Sequence, residues 1–467
     1  MHKCKAADAA RLILICLLLG AILLLVGCNA LAGSEDAVGI ADTAINAEGE
    51  LIVTYTDGTE KNLGRVVGED GEDGKDGIDG ANGKKGEKGD KGDPGADGKD
   101  GEDGAGSDII INSTEESVVA AVSKGIRSAV SIFAGFNKES IYGTVEAYSS
   151  AGAGIIYELD RDEGSAFIVT NYHVVYDKDS ITATGISDNI SVYLYGSELS
   201  GKGMSATYVG GSMYYDLAVL YVSECELLKG EFPREAEIAD SELVSVGERA
   251  IAIGNPDAAG ISATCGIVSV TSENIEMTAA DESTSVTFRV MRVDTPINPG
   301  NSGGGLFNSD GNLIGIVNAK TIDTTIDNIG YAIPSRTVIG AVENIIDNCY
   351  NKECTTLQRC LLGVTVTVAD SEAVYDADTA NVSICQTTTV YSVSEGSLGE
   401  AMGLRAGDVI ISYKITDGEA CPLTRQHQMI DALLGARVGD AVTLTVIRDG
   451  VEMSFTGVFE NGHVTSY

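Results

Sequence analysis

Basic residues are scarce in this chain: 31 lysines and arginines stand against 69 acidic residues, for a net charge of −38. That balance argues against nucleic acid or an anionic membrane surface as a binding partner and favours solubility. Histidine is scarcer still, at positions 2, 173, 427 and 463 only. Chemistry that needs an imidazole in the middle of the chain must therefore use His173. Cysteines 349, 354 and 360 have no histidine beside them and lack the close pairing of a zinc site, so no metal is expected there. They read as local disulfides or ordinary free thiols. Long apolar runs are also missing. Leu12 to Gly27, 16 residues behind Lys3, Lys5 and Arg11, is short for a membrane span and suits the apolar core of a secretion signal.

What is present centres on Asp294-Thr-Pro-Ile-Asn-Pro-Gly-Asn-Ser-Gly-Gly-Gly305. A serine between glycines on a tight turn can expose its hydroxyl while neighbouring N–H groups converge on one point. A nucleophile beside an oxyanion hole needs that geometry. A plain Gly/Ser/Asn surface turn has the same composition, so the serine needs a base and the base needs an orienting group. His173 follows the apolar pattern Ala166-Phe-Ile-Val169 within Thr170-Asn-Tyr-His-Val-Val175. Asp216 opens a second apolar run, Asp216-Leu-Ala-Val-Leu220. The chain order is His, Asp, Ser, the order of chymotrypsin.

These three stretches, with Ala252-Ile-Gly-Asn-Pro256, Gly266-Ile-Val-Ser269 and Ile329-Gly-Tyr-Ala-Ile-Pro334, resemble the HtrA (Deg) family of serine proteases. The resemblance implies a chymotrypsin-like double β-barrel. Ser302 would be its nucleophile, His173 its general base and Asp216 the group fixing the imidazole. The backbone N–H groups of Gly300 and Ser302 would form the oxyanion hole, and no cofactor is needed. Thr295-Pro296 stands where the family more often has small residues, so the shape of the substrate pocket is not carried over. Residues 361–460 resemble a PDZ domain of the HtrA kind, an α+β fold. Leu361-Leu362-Gly363-Val364 matches its carboxylate-binding loop, and Gly403 to Ile410 and Val442 to Gly450 match its later motifs.

The N-terminal part is of another kind. Leu25-Val-Gly-Cys28 resembles the bacterial lipoprotein box, which implies cleavage before Cys28 and a lipid on its sulfur. An uncleaved signal anchor is the alternative, and either places the bulk of the protein outside the cytoplasm. Residues 29–49 read as a tether, and Leu51–Thr56 with Lys61–Val67 as a β-hairpin turning at Asp57-Gly58. From Gly68 to Gly104 glycine recurs at every third position without a miss, thirteen times. A flexible linker does not keep phase; a collagen-like triple helix must, since only glycine fits its axis. Pro94 is the one proline here, so charge pairs such as Lys85 with Glu87 and Lys88 with Asp90 would have to support the rod. A solvated charged linker is the competing reading.

Farther on, Ser113-Thr-Glu-Glu116 fits a capping box that opens a helical stretch from Val118 to Ala129. Ser335 begins another helix, with Val338, Val342 and Ile345 on one face. The expected organisation is a signal at 1–27, tether and hairpin at 28–67, stalk at 68–106, protease domain at 107–348, a cysteine-containing linker at 349–360, a PDZ domain at 361–460 and a tail at 461–467. The function so implied is a membrane-tethered, extracytoplasmic endopeptidase. It would cut unfolded or damaged proteins, bind peptide C-termini, and assemble as a homotrimer on a shared threefold axis. The alternative is a non-catalytic surface display or adhesion protein that uses the rod.

Overall fold

The computed structural model describes residues 40–46, 50–56, 58–65, 115–140, 144–319, 329–377, 381–416 and 418–467. The signal run, Cys28 and the Gly-X-Y repeat lie outside the described residues. The chain divides into two units, residues 1–104 and 105–467. In the first, β1 (Ile40–Ile45), β2 (Glu50–Tyr55) and β3 (Glu60–Arg65) form an antiparallel sheet in that order. Part of the stretch read as a tether is thus a strand.

The second unit begins with α1 (Glu115–Gly125). The apolar pattern suggests a helix to Ala129, but Ala129 instead starts a strand paired with Ile155. Gly125, the last helical residue, lies against Ile253 and Phe307, where a Cβ would come within 2.9 Å of Ile253 Cδ1, so the position calls for glycine. The Ser128 hydroxyl then donates to Gly125 O at 2.8 Å and turns the chain.

Six strands close the first barrel: β4 (Ala129–Glu139), β5 (Val145–Asp160), β6 (Ser165–Thr170), β7 (Asn189–Leu194), β8 (Met204–Ser212) and β9 (Leu217–Val222). Six more close the second: β10 (Arg249–Gly254), β11 (Ser262–Thr278), β12 (Ser285–Val293), β13 (Gly305–Phe307), β14 (Leu313–Asn318) and β15 (Gly330–Pro334). Successive side chains of a strand face opposite ways, and here both faces are buried. Ile168 enters the interior of the first barrel while Val169 joins the apolar layer between the barrels. In the second barrel Ala250 and Ala252 fill the interior, and Ile251 and Ile253 face that shared layer. Strands buried on both faces therefore read as unbroken apolar runs. Helix α3 (Ser335–Cys349; α2 lies in the active site, below) lays Val338, Ala341, Val342 and Ile345 on the same layer. That spacing is one face of a helix.

The C-terminal part is a sheet of β17 (Val364–Asp376), β18 (Asn381–Val393), β19 (Val409–Ile415), β21 (Ala441–Arg448) and β22 (Val451–Val458), in that order. A two-residue β20 (Cys421–Pro422) pairs with β19. Helices α4 (Leu398–Met402) and α5 (Gln426–Leu434) cover its core, which includes Leu362, Leu398, Met429, Leu433 and Leu444. Residues read as linker and tail are strands too: β16 (Gln358–Cys360) pairs with β23 (Val464–Ser466).

Helix α5 is docked on the double barrel by polar groups. Arg289 of β12 bridges Asp431 and, at 2.6 Å, Glu242. Thr337 donates to Asp431 at 2.8 Å, and His427 Nε2 lies 3.0 Å from Glu242. Burial holds the His427 imidazole below its ordinary value of 6.5, against the opposing pull of Glu242. Burial moves Asp431 the other way, upward from 3.8. With the folded pKa of His427 depressed, the unfolded chain takes the proton first. The histidine's contribution is therefore complete above about pH 6.5 and is lost as pH falls toward the folded value. Between about pH 7.5 and 5.5 the Tm of the wild type should fall further than that of His427→Gln, as read by calorimetry. Parallel curves would show that His427 is not the responsible group.

Candidate active site

His173 is carried by a single helical turn, α2 (Tyr172–Val175), at the end of β6. Val174 and Val175 are buried and pin the turn, leaving the imidazole partly open. Asp216 stands just before β9 with a left-handed φ of 52°, a conformation that aspartate tolerates better than most residues. The residue is 6% exposed and its carboxylate is fully engaged. Oδ2 lies 2.7 Å from His173 Nδ1 and accepts from Asn318 Nδ2 at 2.9 Å, while Oδ1 accepts from the His173 backbone N–H at 3.0 Å. Asn171, just ahead of α2, donates from Nδ2 to the Asp216 carbonyl at 2.8 Å. Backbone and side chain of Asp216 are thus fixed independently.

Ser302 comes from the second barrel, on the turn between β12 and β13. The turn is held by Ala153 N–H donating to Ser302 O at 2.8 Å and by Asn255 N–H donating to Gly300 O at 3.3 Å. Gly300 has φ +94°, and a Cβ there would collide with the carbonyl oxygen of Asn255. Only glycine meets both conditions. The N–H of Asn301 is used by Asn298 O, but those of Gly300 and Ser302 find no partner among the described residues. Two backbone donors of the serine's own turn are thus left open.

His173, Ser302, Pro299, Gly300 and Ala319 line one cleft of about 410 Å³. No hydrogen bond joins Ser302 Oγ to His173 among the described residues. The hydroxyl accepts instead from Ala319 N–H at 3.2 Å. Catalytic hydrogen bonds are often long before substrate arrives. The same cleft is bordered by Asp177, Asp179 and Glu282, with Lys178 3.1 Å from Asp179 and 3.4 Å from Glu282. Sequence reasoning missed this acidic edge, and it missed Asn318 and Asn171. The signal for Asn318 was faint: one polar residue closing the apolar run Leu313–Val317.

The Leu361–Val364 stretch links β16 to β17. Leu362 O accepts from Gly399 N–H at 2.7 Å and Gly363 O from Ser394 N–H at 2.8 Å, while the N–H groups of Leu362 and Gly363 find no partner among the described residues. Gly363 has φ +68°, and a Cβ there would strike Ser397. Beside this loop, β17 is an edge strand of its sheet.

Residues 152–316 match the trypsin-like peptidase domain family, and residues 360–456 the PDZ domain family. The chain is 32% identical over 329 residues to the serine protease Do-like HtrA of Lactococcus lactis subsp. cremoris (strain MG1363), spanning 68% of this chain and 73% of that protein. It is 30% identical over 353 residues to the serine protease Do-like HtrA of Bacillus subtilis (strain 168), spanning 74% and 70%. A solved structure, the HtrA-type protease AlgW with decapeptide, aligns with 75% of this chain and 98% of that one at 23% identity and a TM-score of 0.46. With a mainly β, trypsin-like double barrel followed by a PDZ domain, the chain belongs to the HtrA family of serine proteases and is a serine endopeptidase.

Proposed function

We propose that Ser302, His173 and Asp216 are the catalytic groups of this endopeptidase. Ser302 Oγ attacks the scissile carbonyl carbon and passes its proton to His173 Nε2. Asp216 holds Nδ1–H and stabilises the imidazolium. The oxyanion is received by the N–H groups of Gly300 and Ser302, and His173 then returns the proton to the leaving amine. Water repeats the sequence on the acyl-enzyme. The observation that carries this reading is the pair of unpartnered N–H groups at Gly300 and Ser302, in a cleft also lined by His173, whose Nδ1 lies 2.7 Å from the buried Asp216. For the first step the Ser302 hydroxyl turns from Ala319 N–H toward His173. A serine-reactive phosphonate should label one residue per chain, Ser302, as mapped by mass spectrometry. Labelling elsewhere, or none, would remove the assignment.

The PDZ loop is proposed to receive a peptide C-terminal carboxylate on the N–H groups of Leu362 and Gly363. The peptide would add to the free edge of β17, with an apolar last side chain beside Leu362 and Val364. The purified protein should then bind a peptide with a free C-terminus at least tenfold more tightly than its amide, measured by fluorescence anisotropy (~1.4 kcal/mol). Equal affinities would refute the carboxylate role of this loop.

The remaining functional reading rests on sequence. Substrates are unfolded or damaged proteins outside the cytoplasm, lipid on Cys28 tethers the chain to the membrane, and the Gly-X-Y rod gathers three chains, since a collagen-like helix exists only as three. The rod would hold the protease on the order of 110 Å from the membrane. The display or adhesion reading is not favoured, because the chain belongs to a protease family.

A further inference from the structure

The connection from α3 to the PDZ domain carries two cysteines that neither the proposed catalysis nor peptide binding uses. Cys349 is the last residue of α3 and is buried; Cys354 is half-buried. Between them the chain reverses. Tyr350 N–H donates to Ile346 O at 3.1 Å, Lys352 N–H to Cys349 O at 3.0 Å, and Asn351 takes a left-handed φ of 56°. Asparagine is among the few side chains that accept this conformation readily. The reversal returns Cys354 to the end of the helix, with its sulfur 3.1 Å from that of Cys349. Both sulfurs also face Thr356 O, at 3.5 and 3.1 Å. Nothing can sit between them. No other sulfur-to-sulfur hydrogen bond occurs among the described residues.

The pair matters because of the segment it leads into. Residues 355–357 form a strap along β8 of the first barrel. Gly211 N–H donates to Thr355 O at 3.1 Å, Leu357 N–H to Gly211 O at 3.0 Å, and the Tyr208 hydroxyl to Thr355 O at 3.2 Å. The next residues, Gln358–Cys360, are β16 and already belong to the pairing with β23. The strap is the covalent route between the protease barrels and the PDZ domain, and Cys354 stands at its entrance.

We propose that Cys349 and Cys354 are an oxidative modification site, joined by a disulfide that fastens the strap to the end of α3. The oxidant is another disulfide, small or protein-borne. Burial raises the Cys349 thiol well above its ordinary range, so the more open Cys354 acts first. Its thiolate attacks one sulfur of the external disulfide, forms a mixed disulfide and expels the first thiolate. Cys349 then gives its proton to solvent, attacks Cys354 Sγ and expels the second thiolate. The two cysteines lose two electrons between them. The external disulfide gains those electrons, takes up two protons and leaves as two thiols.

Lys352 lies between the two cysteines, and this makes the test direct. The full chain is reduced, freed of reductant, incubated with oxidised glutathione, alkylated in denaturant and digested with trypsin. Cleavage after Lys352 places Cys349 and Cys354 in separate peptides, which should remain joined, lacking both thiol hydrogens, until reductant is added. Cys349→Ser should instead leave glutathione on Cys354. The oxidised wild type should melt at a higher temperature than the reduced form, and Cys354→Ser, a change at a half-open position, should abolish that difference. The site is overturned if both cysteines of the wild type are alkylated, if glutathione persists on Cys354, or if either cysteine is found linked elsewhere. Equal melting of oxidised and reduced wild type would overturn the fastening role.

Discussion

Ser302→Ala should reduce kcat on an unfolded, casein-like substrate by about 10⁶-fold, because nucleophile and base act as a unit and removing one disables the other. The fold should be unaffected. The hydroxyl accepts from Ala319 N–H, and the turn itself is held by backbone contacts that alanine keeps. The oxyanion donors also survive the change, so a small residual rate above the uncatalysed one is expected. His173→Ala should fall to nearly the same level. Purified Ser302→Ala with activity within tenfold of wild type would mean that another group is the nucleophile.

Asp216→Asn is the more informative change, with an expected loss of about 10⁴-fold in kcat. Asparagine accepts the left-handed φ of 52° and preserves size, so circular dichroism should match wild type. The chemistry does not survive. The carboxylate receives three donors, from His173 Nδ1, His173 N and Asn318 Nδ2. An amide at this position presents its own N–H groups to at least one of them. If that group faces Nδ1, the imidazole carries its proton on Nε2, on the side where it should accept one from Ser302. Phosphonate labelling should slow in parallel with peptide hydrolysis, since both need an activated hydroxyl. Hydrolysis within tenfold of wild type in a well-folded variant would reduce Asp216 to a structural residue. Asp216→Ala is a poorer test, because it adds backbone strain to the loss of the carboxylate.

The candidate site was unusually legible because imidazoles are so few. Position 173 was the only candidate in its region, and the geometry places it 2.7 Å from the aspartate named with it. The strands around it could be read because both faces are buried, which leaves apolar runs such as Leu217–Val222 and Leu313–Val317. Other features had no local signature. Arg289 and Asp431 meet across the two domains, and neither the period of β12 nor that of α5 announces a partner so distant in sequence. Helix α1 ends at Gly125, where Ile253 and Phe307 of the second barrel leave no room for a Cβ, while the apolar pattern itself continued. Asn318 looked like an ordinary strand terminus until the fold turned it toward Asp216. The pairing of β16 with β23 likewise joins segments from the two ends of the PDZ region, and neither announces the other.

The two barrels divide the proposed catalytic groups: His173 and Asp216 stand on the first, Ser302 on the second. Both barrels are closed by antiparallel pairings between distant residues, a topology that folds slowly. Earlier segments generally fold first during synthesis. A chain caught midway would therefore carry an oriented base with no hydroxyl for it to activate. If these are the catalytic groups, hydrolysis should begin only when the apolar layer shared by Val169, Val219, Ile251 and Ile316 has closed. On the proposed assignment, nascent copies should therefore be unable to cut one another until both of their barrels are in place.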